Sequence, residues 1–488
     1  MRISPLLASA AALALLACSN NAPDTGNSSA SAASASQVSD KDLEDQVMAA
    51  LADAPKHGLT KDLFLKGDLP SDQGQRRQQL MQVAKDYASA LADGKVDPTK
   101  IREVYTVPRP KIDVSAGLQQ ALSQKNYAEW VNSLAPQTPE YQALSEAFVA
   151  LVKRSPGLPD TDIPAGDVIH PGDSDPRVPA IVRNLQAQGY LPAATDKKQE
   201  QAQASATTYT PAIANAVKRW QADSGLKVDG VIGSNTIAAL NASPRDRARQ
   251  IAVAMERLRW LDRKPPATRI DVNTAATVLD YYRDGRIADH RKVIAGQPGW
   301  ETPQLGAPMY ALVANPNWVV PESIVKEEIA EKSSSWLREN NFVRKDGKWV
   351  QQPGPQSALG LVKFAMKDDQ AIYLHDTPAK SLFGQADRHD SHGCVRVENA
   401  VQFAQMLAQA DGIDAKFSQA MGKKDEIQVD LNTDIPVRLM YHTAYLGTDG
   451  RIHFAQDAYG WDNDVATALG YPTKAPAQVK DRDADIGP

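Results

Sequence analysis

Cysteine is scarce in this sequence: only Cys18 and Cys394 occur among its 488 residues. Two cysteines so far apart exclude a disulfide framework of the kind that holds small secreted domains together. The sequence also lacks any C-x-x-C, C-x-x-x-x-C or H-E-x-x-H pattern, so the usual structural and hydrolytic zinc spacings are missing. These absences give no reason to expect a metal site.

A basic surplus is missing too. The chain carries 54 Lys and Arg residues against 59 Asp and Glu residues, which gives a formal net charge of -5. Because nucleic acids are usually bound by a positive surface, we expect no nucleic acid as a main partner. At about 100–200 residues per domain, the length predicts about three domains and at least one sizeable core.

The apolar run at the start of the chain is too short to span a bilayer. Arg2 precedes an apolar stretch over residues 6–16, which is typical of a signal peptide ending at residue 17. The letters L-L-A-C that end at Cys18 resemble the lipobox of bacterial lipoproteins, in which this cysteine becomes the lipid-modified first residue. An ordinary signal peptide with an incidental cysteine stays open as an alternative.

The lipobox implies a periplasmic protein held to a membrane by an N-terminal lipid anchor. Ser19 follows Cys18 where Asp would favour the inner membrane, so the outer membrane is the expected location. Residues 18–38 are mostly Asn, Ser, Ala and Gly, and we expect a disordered tether. If Cys18 carries lipid, Cys394 has no disulfide partner in an oxidising compartment, which makes a catalytic role one explanation for it.

Helical periodicity follows the tether. Ser39 and Asp42 resemble a capping box before Leu43, and Pro139 opens another helix, so we expect a helical domain over residues 39–177. A further helical stretch over residues 244–265 is expected to pack back on this domain and to make the segment between them an insertion.

The inserted segment, residues 178–243, has its own pattern. The string V-K-R-W-Q-A-x-x-G-L-x-V-D-G-V-I-G-x-x-T begins at Val217 and resembles the small three-helix peptidoglycan-binding module. Gly230 and Gly233 permit tight turns that fold the last helix back onto Trp220. Whether this module still binds a ligand is left open by the sequence.

Beyond residue 266 the apolar period changes to two, which predicts a domain built mainly on β-sheet over residues 266–470. Asp284-Gly285 and Asp449-Gly450 are strong hairpin signals, the second between strands 437–441 and 452–454. One helix is expected at residues 400–410, and residues 471–488 are expected to form a disordered tail. The predicted fold class is therefore multidomain α+β.

Cys394 has candidate bases beside it. His375, His389 and His392 lie within 19 residues of it, and a thiol becomes a good nucleophile only when a base or a positive field favours the thiolate. His375 ends a predicted strand, where a fixed backbone can aim its imidazole, whereas His389 is expected at the surface. Gly393 removes a side chain next to the thiol, so the N–H groups of Gly393 and Cys394 are candidate oxyanion donors.

These residues carry a family resemblance. The string H-x16-H-G-C-x-R-x-x-N, which starts at His375, resembles the signature of the L,D-transpeptidases with a YkuD-type catalytic domain. Similarity continues in M-E-R-L-R-W-L, V-I-A-G-Q-P-x-x-x-T-P, N-P-N-W-V-V-P-E-S-I and L-G-x-V-K-F, over about 350 residues in all. The resemblance implies the long branch of the family: a helical scaffold, an inserted peptidoglycan-binding module and a capping subdomain over residues 319–358. That branch usually has a transmembrane anchor, from which the lipobox departs.

The resemblance also implies a reaction. Cys394 would attack the L-centred carbonyl of meso-diaminopimelate in a tetrapeptide stem and release D-alanine, and a second diaminopimelate amine would resolve the thioester to a 3→3 cross-link. His375 would be the base, and Tyr373 would help at the oxyanion. No organic cofactor is needed because thiol, imidazole and backbone donors complete this chemistry. Carbapenems are expected inhibitors because they mimic the donor.

Four other positions have implied roles. His392 would orient or support the thiolate, and Trp318 is a candidate for lining the donor cleft. Arg396 would either contact a substrate carboxylate or hold its loop. Asn399 is interpreted as the N-cap of the helix that starts at Ala400.

Several alternatives keep the thioester and change the acceptor. Water would give an L,D-carboxypeptidase, a free D-amino acid would give exchange, and a lysine amine would give protein anchoring. A different class is an inactive lipoprotein that only binds glycan and stem peptides of the wall, which the intact Cys394 and His375 disfavour. A cysteine endopeptidase would need a motif such as C-G-x-C-W, which is missing.

Overall fold

The computed structural model describes residues 38–154, 163–164, 166–224, 226–385 and 387–473. The predicted signal peptide, Cys18, nearly all of the tether and most of the tail lie outside these residues. Among the described helices, none is long and apolar enough to cross a membrane.

The described residues form helices and strands in an order that separates helical from sheet-rich parts. In chain order the helices are α1 (Asp40–Ala52), α2 (Gln73–Asp93), α3 (Pro98–Ile101), α4 (Val114–Ser123), α5 (Tyr127–Leu134), α6 (Pro139–Arg154), α7 (Val178–Ala187), α8 (Lys197–Ser205), α9 (Pro211–Asp223), α10 (Ser234–Leu240), α11 (Pro244–Arg259), α12 (Glu322–Ile324), α13 (Ser334–Glu339), α14 (Ala400–Asp411), α15 (Asp414–Met421) and α16 (Asp462–Ala468). In chain order the strands are β1 (Arg269–Asn273), β2 (Val278–Arg283), β3 (Arg286–Gly296), β4 (Gly306–Ala314), β5 (Trp318–Val319), β6 (Phe342–Lys345), β7 (Lys348–Gln351), β8 (Val362–Met366), β9 (Leu374–His375), β10 (His389–Ser391), β11 (Val395–Val397), β12 (Ile427–Met440), β13 (Ala444–Leu446) and β14 (Ile452–Phe454).

Helices α1 to α6 and α11 share one core. The Ser39 side chain accepts a hydrogen bond from the Asp42 N–H, which confirms the predicted start of α1. Helix α6 starts at Pro139 as predicted. Helix α11 begins with a capping box, and its buried Ile251 and Met255 belong to the same apolar cluster as α1 and α2, so the return of this helix to the first domain is confirmed.

The segment between α6 and α11 has a separate core. Trp220 and Ile232 are buried in it, and the Tyr209 hydroxyl donates to the carbonyl of Gly230 at 2.6 Å. Ile163 and Ile169 also pack here, although they precede the predicted start of the module at residue 178. A bridge between Ile169 and Ile232 explains this, because it ties the incoming segment to the last turn of the module.

The third part is a nine-stranded sheet in the order β10-β3-β11-β9-β8-β4-β12-β1-β2. An additional pairing of β2 with β3 closes eight of these strands into a ring, with β10 at its side. Asp284 and Gly285, both with positive φ, make the predicted tight turn between β2 and β3. Helix α14 covers the sheet with Phe403, which packs on Phe364 of β8 at 5.4 Å between ring centroids.

Asn399 precedes α14 as predicted, but its side chain makes no capping hydrogen bond. The residue lies in the left-handed region at φ 49° and ψ 42°, whereas a capping side chain needs an extended backbone to reach back. The interpretation of Asn399 as a side-chain cap is therefore wrong. The helix α15 that follows was not predicted.

A capping subdomain sits between β4 and β8. Strands β5, β7 and β6 form a small sheet in that order. Ile324 of α12 and Leu337 of α13 belong to the same apolar cluster as residues of this sheet. Its core contains Trp318, Leu337 and Phe342, with Trp336 and Trp349 packed against them. The predicted capping subdomain therefore has a small apolar core of its own.

The last segment of the chain returns to the helical part. Strands β13 and β14 pair around Asp449-Gly450, so the predicted partner strand 437–441 is wrong. Residues 437–440 instead form the end of the long strand β12, which pairs with β1 and β4. Leu469 lies in the helical core, and Tyr471 packs against it, so the first residues of the predicted disordered tail are ordered.

Candidate active site

Cys394 and His375 lie on neighbouring strands of the sheet. Strands β9 and β11 run parallel with Leu374 opposite Val395, and the Val395 N–H donates to the Tyr373 carbonyl at 3.1 Å. This register places Cys394 beside Tyr373. Because alternate residues of a strand share a face, Tyr373, His375 and Cys394 lie on the same face of the sheet.

The imidazole of His375 is fully buried and held by the backbone. Its Nδ1 lies 2.5 Å from the carbonyl oxygen of Asp376. A carbonyl oxygen only accepts hydrogen bonds, so Nδ1 carries a proton, and when the ring is neutral Nε2 is therefore its acceptor atom. The ring of Tyr373 packs against it at 5.7 Å between centroids. This arrangement prepares Nε2 to take a proton.

The thiol of Cys394 is only 5% exposed. Burial raises its pKa from 9.0 to about 11, because a thiolate loses its hydration in this environment. Hydrogen bonds from the backbone and side chain of Tyr373, and the positive charge of Lys363, act in the opposite direction on this pKa. Lys363 also lies over the Tyr373 ring, with its Nζ 4.0 Å from the ring centroid.

The loop before Cys394 is fixed by a chain of hydrogen bonds. Gly393 has φ +106°, a region that favours glycine, and Thr302 donates from its Oγ1 to the Gly393 carbonyl at 2.9 Å. The same Oγ1 accepts the Gly296 N–H at 2.8 Å, and Tyr459 donates to the Gly296 carbonyl at 2.7 Å. At Gly296 any side chain would collide with the carbonyl oxygen of Trp300.

Ser391 makes two hydrogen bonds within the loop that carries Cys394. Its Oγ donates to the Cys394 carbonyl at 2.6 Å and accepts the Gly393 N–H at 3.3 Å. The Gly393 N–H, expected as an oxyanion donor, is therefore directed at Ser391.

His392 reaches the capping subdomain. Its Nε2 lies 2.8 Å from Oε1 of Glu328, in the π-helical turn Val325–Ile329. The ring also meets Trp300 edge to face at 5.0 Å. The residue next to Gly393 thus links the nucleophile loop to the segment that covers it.

Three family models match the chain. A model described as "L,D-transpeptidase catalytic domain" matches residues 267–429, a "Scaffold domain" model matches residues 36–148, and a "Putative peptidoglycan binding domain" model matches residues 174–240.

The chain carries an L,D-transpeptidase catalytic domain. With the scaffold and peptidoglycan-binding matches, this confirms the predicted resemblance and the predicted α+β class with a β-rich catalytic part.

A curated relative supports the same assignment. A protein of Haemophilus influenzae named "Putative L,D-transpeptidase" is 32% identical over 223 residues. The match covers 41% of this chain and 45% of that relative, so the chain spans less than half of the relative's length.

Solved structures with the same description are more distant. An L,D-transpeptidase fragment from Xylanimonas cellulosilytica is 16% identical, with a TM-score of 0.19, and the match covers 57% of this chain and 98% of that one. An L,D-transpeptidase from Stackebrandtia nassauensis is 12% identical, with a TM-score of 0.22 and coverage of 57% and 96%. The assignment rests on the family models and the curated relative alone.

Two predicted surface or substrate residues of the L,D-transpeptidase domain are buried. His389 was expected at the surface, but its Nδ1 pairs with Asp387 at 2.8 Å and its Nε2 lies 3.0 Å from the Thr274 carbonyl. That expectation is wrong because β10 pairs with β3 and carries His389 inward. Arg396 is fully buried opposite Ile294 of β3. Its burial favours the loop-holding alternative over contact with a substrate.

Trp318 is also fully buried, in the core of the capping subdomain. It packs edge to face with Phe342 at 6.4 Å, and Tyr373 packs against the same cluster. It therefore connects the cap to the site through Tyr373.

Sequence reasoning missed Lys363, Thr302, Glu328 and Tyr459. Thr302 and Lys363 stand in strings that carry the family resemblance, but those strings gave them no role. No local pattern marks Glu328 or Tyr459, which reach the L,D-transpeptidase site from distant segments. In the described part of the chain, no group of three His, Cys, Asp or Glu residues could hold a metal ion.

Proposed function

We propose that this protein is an L,D-transpeptidase of peptidoglycan that forms 3→3 cross-links. The single observation that carries the proposal is a buried thiol and a buried imidazole on one face of adjacent parallel strands, inside the matched catalytic domain. Cys394 is the nucleophile and His375 the base.

In the first half-reaction the sulfur of Cys394 bonds to the L-centred carbonyl carbon of meso-diaminopimelate in a tetrapeptide stem. His375 takes the thiol proton and gives it to the nitrogen of D-alanine as that amide bond breaks. A thioester remains. His375 Nε2 suits this role because the Asp376 carbonyl fixes the proton on Nδ1.

The raised pKa of Cys394 argues against a resting ion pair of thiolate and imidazolium. In our mechanism the thiol loses its proton to His375 only as it attacks. The substrate helps because its carbonyl becomes an oxyanion and draws the negative charge away from sulfur. The Cys394 N–H and the hydroxyl of Tyr373 are the donors we assign to that oxyanion, since the Gly393 N–H is directed at Ser391.

In the second half-reaction a diaminopimelate side-chain amine attacks the thioester. The new C–N bond forms, the C–S bond breaks, and the proton lost by the amine returns through His375 to sulfur. Water or a free D-amino acid in the acceptor position would give carboxypeptidase or exchange activity instead. We propose that residues beneath the cap select the acceptor, in the region where Glu328 contacts His392 and Trp318 packs in the cluster that Tyr373 contacts.

Placement outside the cytoplasm suits a peptidoglycan enzyme. We propose that residues 1–17 are removed, that Cys18 carries lipid and that the protein is anchored in the outer membrane facing the periplasm. Intact mass of the membrane-extracted protein tests this: a diacylglyceryl adduct that is missing in Cys18→Ser supports the anchor, and a mature chain without lipid contradicts it.

We propose domain limits from the sequence and the packing together. Residues 39–154 with 244–265 form the scaffold, and residues 266–440 form the catalytic domain with its cap. The peptidoglycan-binding module starts at residue 163, because Ile163 and Ile169 pack in its core.

The decisive experiment mixes the full chain, purified in detergent, with a disaccharide-tetrapeptide, and follows products by mass spectrometry. Dimers lighter than two donors by one alanine, absent with Cys394→Ala, are expected. Tripeptide monomer alone would indicate a carboxypeptidase, and unchanged donor with both proteins would indicate an inactive wall-binding protein. A carbapenem should add its mass to the wild-type chain and not to Cys394→Ala.

A further inference from the structure

A cleft of about 1210 Å³ lies where three parts of the chain meet. Its walls come from α6 of the scaffold, from the module around Tyr190 and Trp220, and from β14 of the C-terminal segment. The start of α11 also contributes to its lining. None of the residues that surround Cys394 contributes to its lining.

The described lining contains three arginines, Arg183, Arg247 and Arg451, against two acids, Asp223 and Asp246. Both acids are already engaged by the protein. Asp223 accepts from the Tyr190 hydroxyl at 2.7 Å and from Arg451 at 3.0 Å. Asp246 accepts the Ser243 N–H at 2.8 Å in the capping box. The cleft therefore offers net positive charge to a ligand.

Arg247 is the arginine placed best for a ligand. Its guanidinium lies over the Phe454 ring at 4.4 Å and donates to the oxygens of Gln250 and Ala239 at 3.2 and 3.4 Å. Burial lowers its pKa to about 10. Its hydrogen-bond partners are neutral, and the neighbouring Asp246 carboxylate offsets part of its charge. A carboxylate arriving here would still gain a charge-assisted hydrogen bond from the guanidinium.

The rest of the lining is apolar on one side. Leu151, Ile452 and Phe454 face the space next to Arg247. Cations beside apolar surface suit a short peptide with carboxylates and small apolar side chains better than a bare sugar chain.

We propose that this cleft binds the stem peptide of peptidoglycan, with Arg247 and Arg183 as carboxylate contacts. The ligand class rests on the proposed function and on the peptidoglycan-binding match over residues 174–240. The site extends beyond that match, because Arg247 and Phe454 belong to the scaffold and the C-terminal segment. Binding in this cleft would keep the protein attached to peptidoglycan while Cys394 acts on another stem peptide.

The test measures binding of a disaccharide-tetrapeptide to the full chain in a Cys394→Ala background by calorimetry. The parent should show two classes of site, and Arg247→Gln should weaken one of them about tenfold or more. Arg183→Gln should weaken binding at the same class of site. Because Arg183 is exposed, this variant should fold normally and shows whether the effect of Arg247→Gln is due to misfolding. Lys218→Gln, on the same module outside the cleft, is the matched control.

Peptide-free disaccharide should not occupy this class of site. The inference is overturned if both arginine variants bind like Lys218→Gln, or if the peptide-free disaccharide binds equally well. Acylation separates the two proposals: Arg247→Gln with Cys394 intact should acylate from soluble donor at the parent rate. A parent that never acylates defeats the proposed function, while peptide binding lost in Arg247→Gln would still support the cleft.

A chain of hydrogen bonds runs from the Tyr459 hydroxyl through Gly296 and Thr302 to the Gly393 carbonyl. We infer that Tyr459 is a positioning residue for the nucleophile loop. It lies outside the matched catalytic segment, and its ring stacks on Tyr441 at 5.0 Å and meets Trp461 edge to face at 4.8 Å between centroids. Through Gly296 and Thr302 it fixes the backbone on which Cys394 is carried.

Tyr459→Phe keeps the stacked ring and removes only the hydroxyl. We expect the acylation rate constant to fall about tenfold with an unchanged KM for the donor and an unchanged melting temperature, because the thiol is misplaced and not the substrate. Thr302→Ser should keep the rate and Thr302→Val should lose it. Tyr445→Phe, in the same segment, is the control. A parent-like rate in Tyr459→Phe, or a rate loss explained by unfolding, overturns the inference.

Discussion

The scaffold and the region around Cys394 both bury ionisable side chains, but only the scaffold places an opposite charge beside the buried group. In the scaffold, Arg259 and Glu256 are fully buried 2.5 Å apart. Arg259 also donates to the His57 carbonyl at 2.8 Å, and Glu256 accepts the Val96 N–H at 2.7 Å. Each buried charge thus meets an opposite charge and further dipoles, which is what a fixed structure requires.

At the nucleophile site the buried thiol has mainly neutral neighbours. Its thiolate is disfavoured, as the raised pKa of Cys394 indicates. The comparison teaches that a buried charge with an opposite charge beside it stabilises the packed scaffold, whereas burial without one keeps the proposed nucleophile protonated until a substrate binds. Substitutions in the two regions should therefore affect different quantities.

The largest effect is expected at His375. His375→Gln should lower the rate of Cys394 acylation about a thousandfold, because the base is lost, and should change the free energy of unfolding by less than about 2 kcal/mol. Intact-mass kinetics and urea denaturation measure the two quantities. His290→Gln, at a half-exposed histidine paired with Asp280, should change neither. A rate within tenfold of the parent for His375→Gln would remove this residue from the mechanism.

Breaking the Glu256–Arg259 ion pair should lower the stability of the protein and leave the acylation rate unchanged. Glu256→Gln leaves Arg259 buried without its counter-charge and should lower the free energy of unfolding by about 3–5 kcal/mol. The folded protein should still acylate at the parent rate. Adding Arg259→Met should restore part of the stability. A single variant as stable as the parent would contradict a stabilising role for this ion pair within α11.

Acid should weaken the scaffold through His57. Burial lowers the pKa of His57 from 6.5 to about 4. Between these values the unfolded chain binds more protons than the folded one, so stability falls as pH drops through this window. The loss reaches roughly 3 kcal/mol when complete below pH 4. Urea denaturation from pH 7 to pH 4 should show a shallower loss in His57→Gln; an equal slope would contradict this.

The smallest effects concern two helix starts. The Asp72 side chain accepts the Gln75 N–H at 2.8 Å at the start of α2, so Asp72→Ala should cost about 1 kcal/mol. Asn399 makes no such bond, so Asn399→Gly should change stability by less than about 0.5 kcal/mol. Thermal denaturation compares them. An equal loss at both positions would mean that Asn399 stabilises its helix after all.

Local features could be predicted from the sequence because they depend on residues a few positions apart. The Ser39 cap, the Pro139 helix start and the Asp284-Gly285 turn are confirmed for that reason. Cys394 and His375 were selected as candidates in the same way, because the motif holds both at a short spacing, whereas the pairing of their strands is seen only in the structure.

Features that depend on packing between distant segments were missed. The burial of His389 follows from the pairing of β10 with β3, about 95 residues earlier in the chain. The partner of β14 was misassigned because two short apolar stretches competed for the same hairpin, and the longer one was already taken by β1 and β4.

The sequence by itself determined the order of the three matched segments and the motif that contains Cys394 and His375, because both are patterns that any fold of this chain would keep. Only the tertiary structure decided that Glu328 reaches His392, that Tyr459 supports the nucleophile loop, and that Arg247 faces a cleft between three parts of the chain. Those contacts join residues far apart in sequence. Their partners are selected by the shapes of packed surfaces, which no short stretch of sequence encodes.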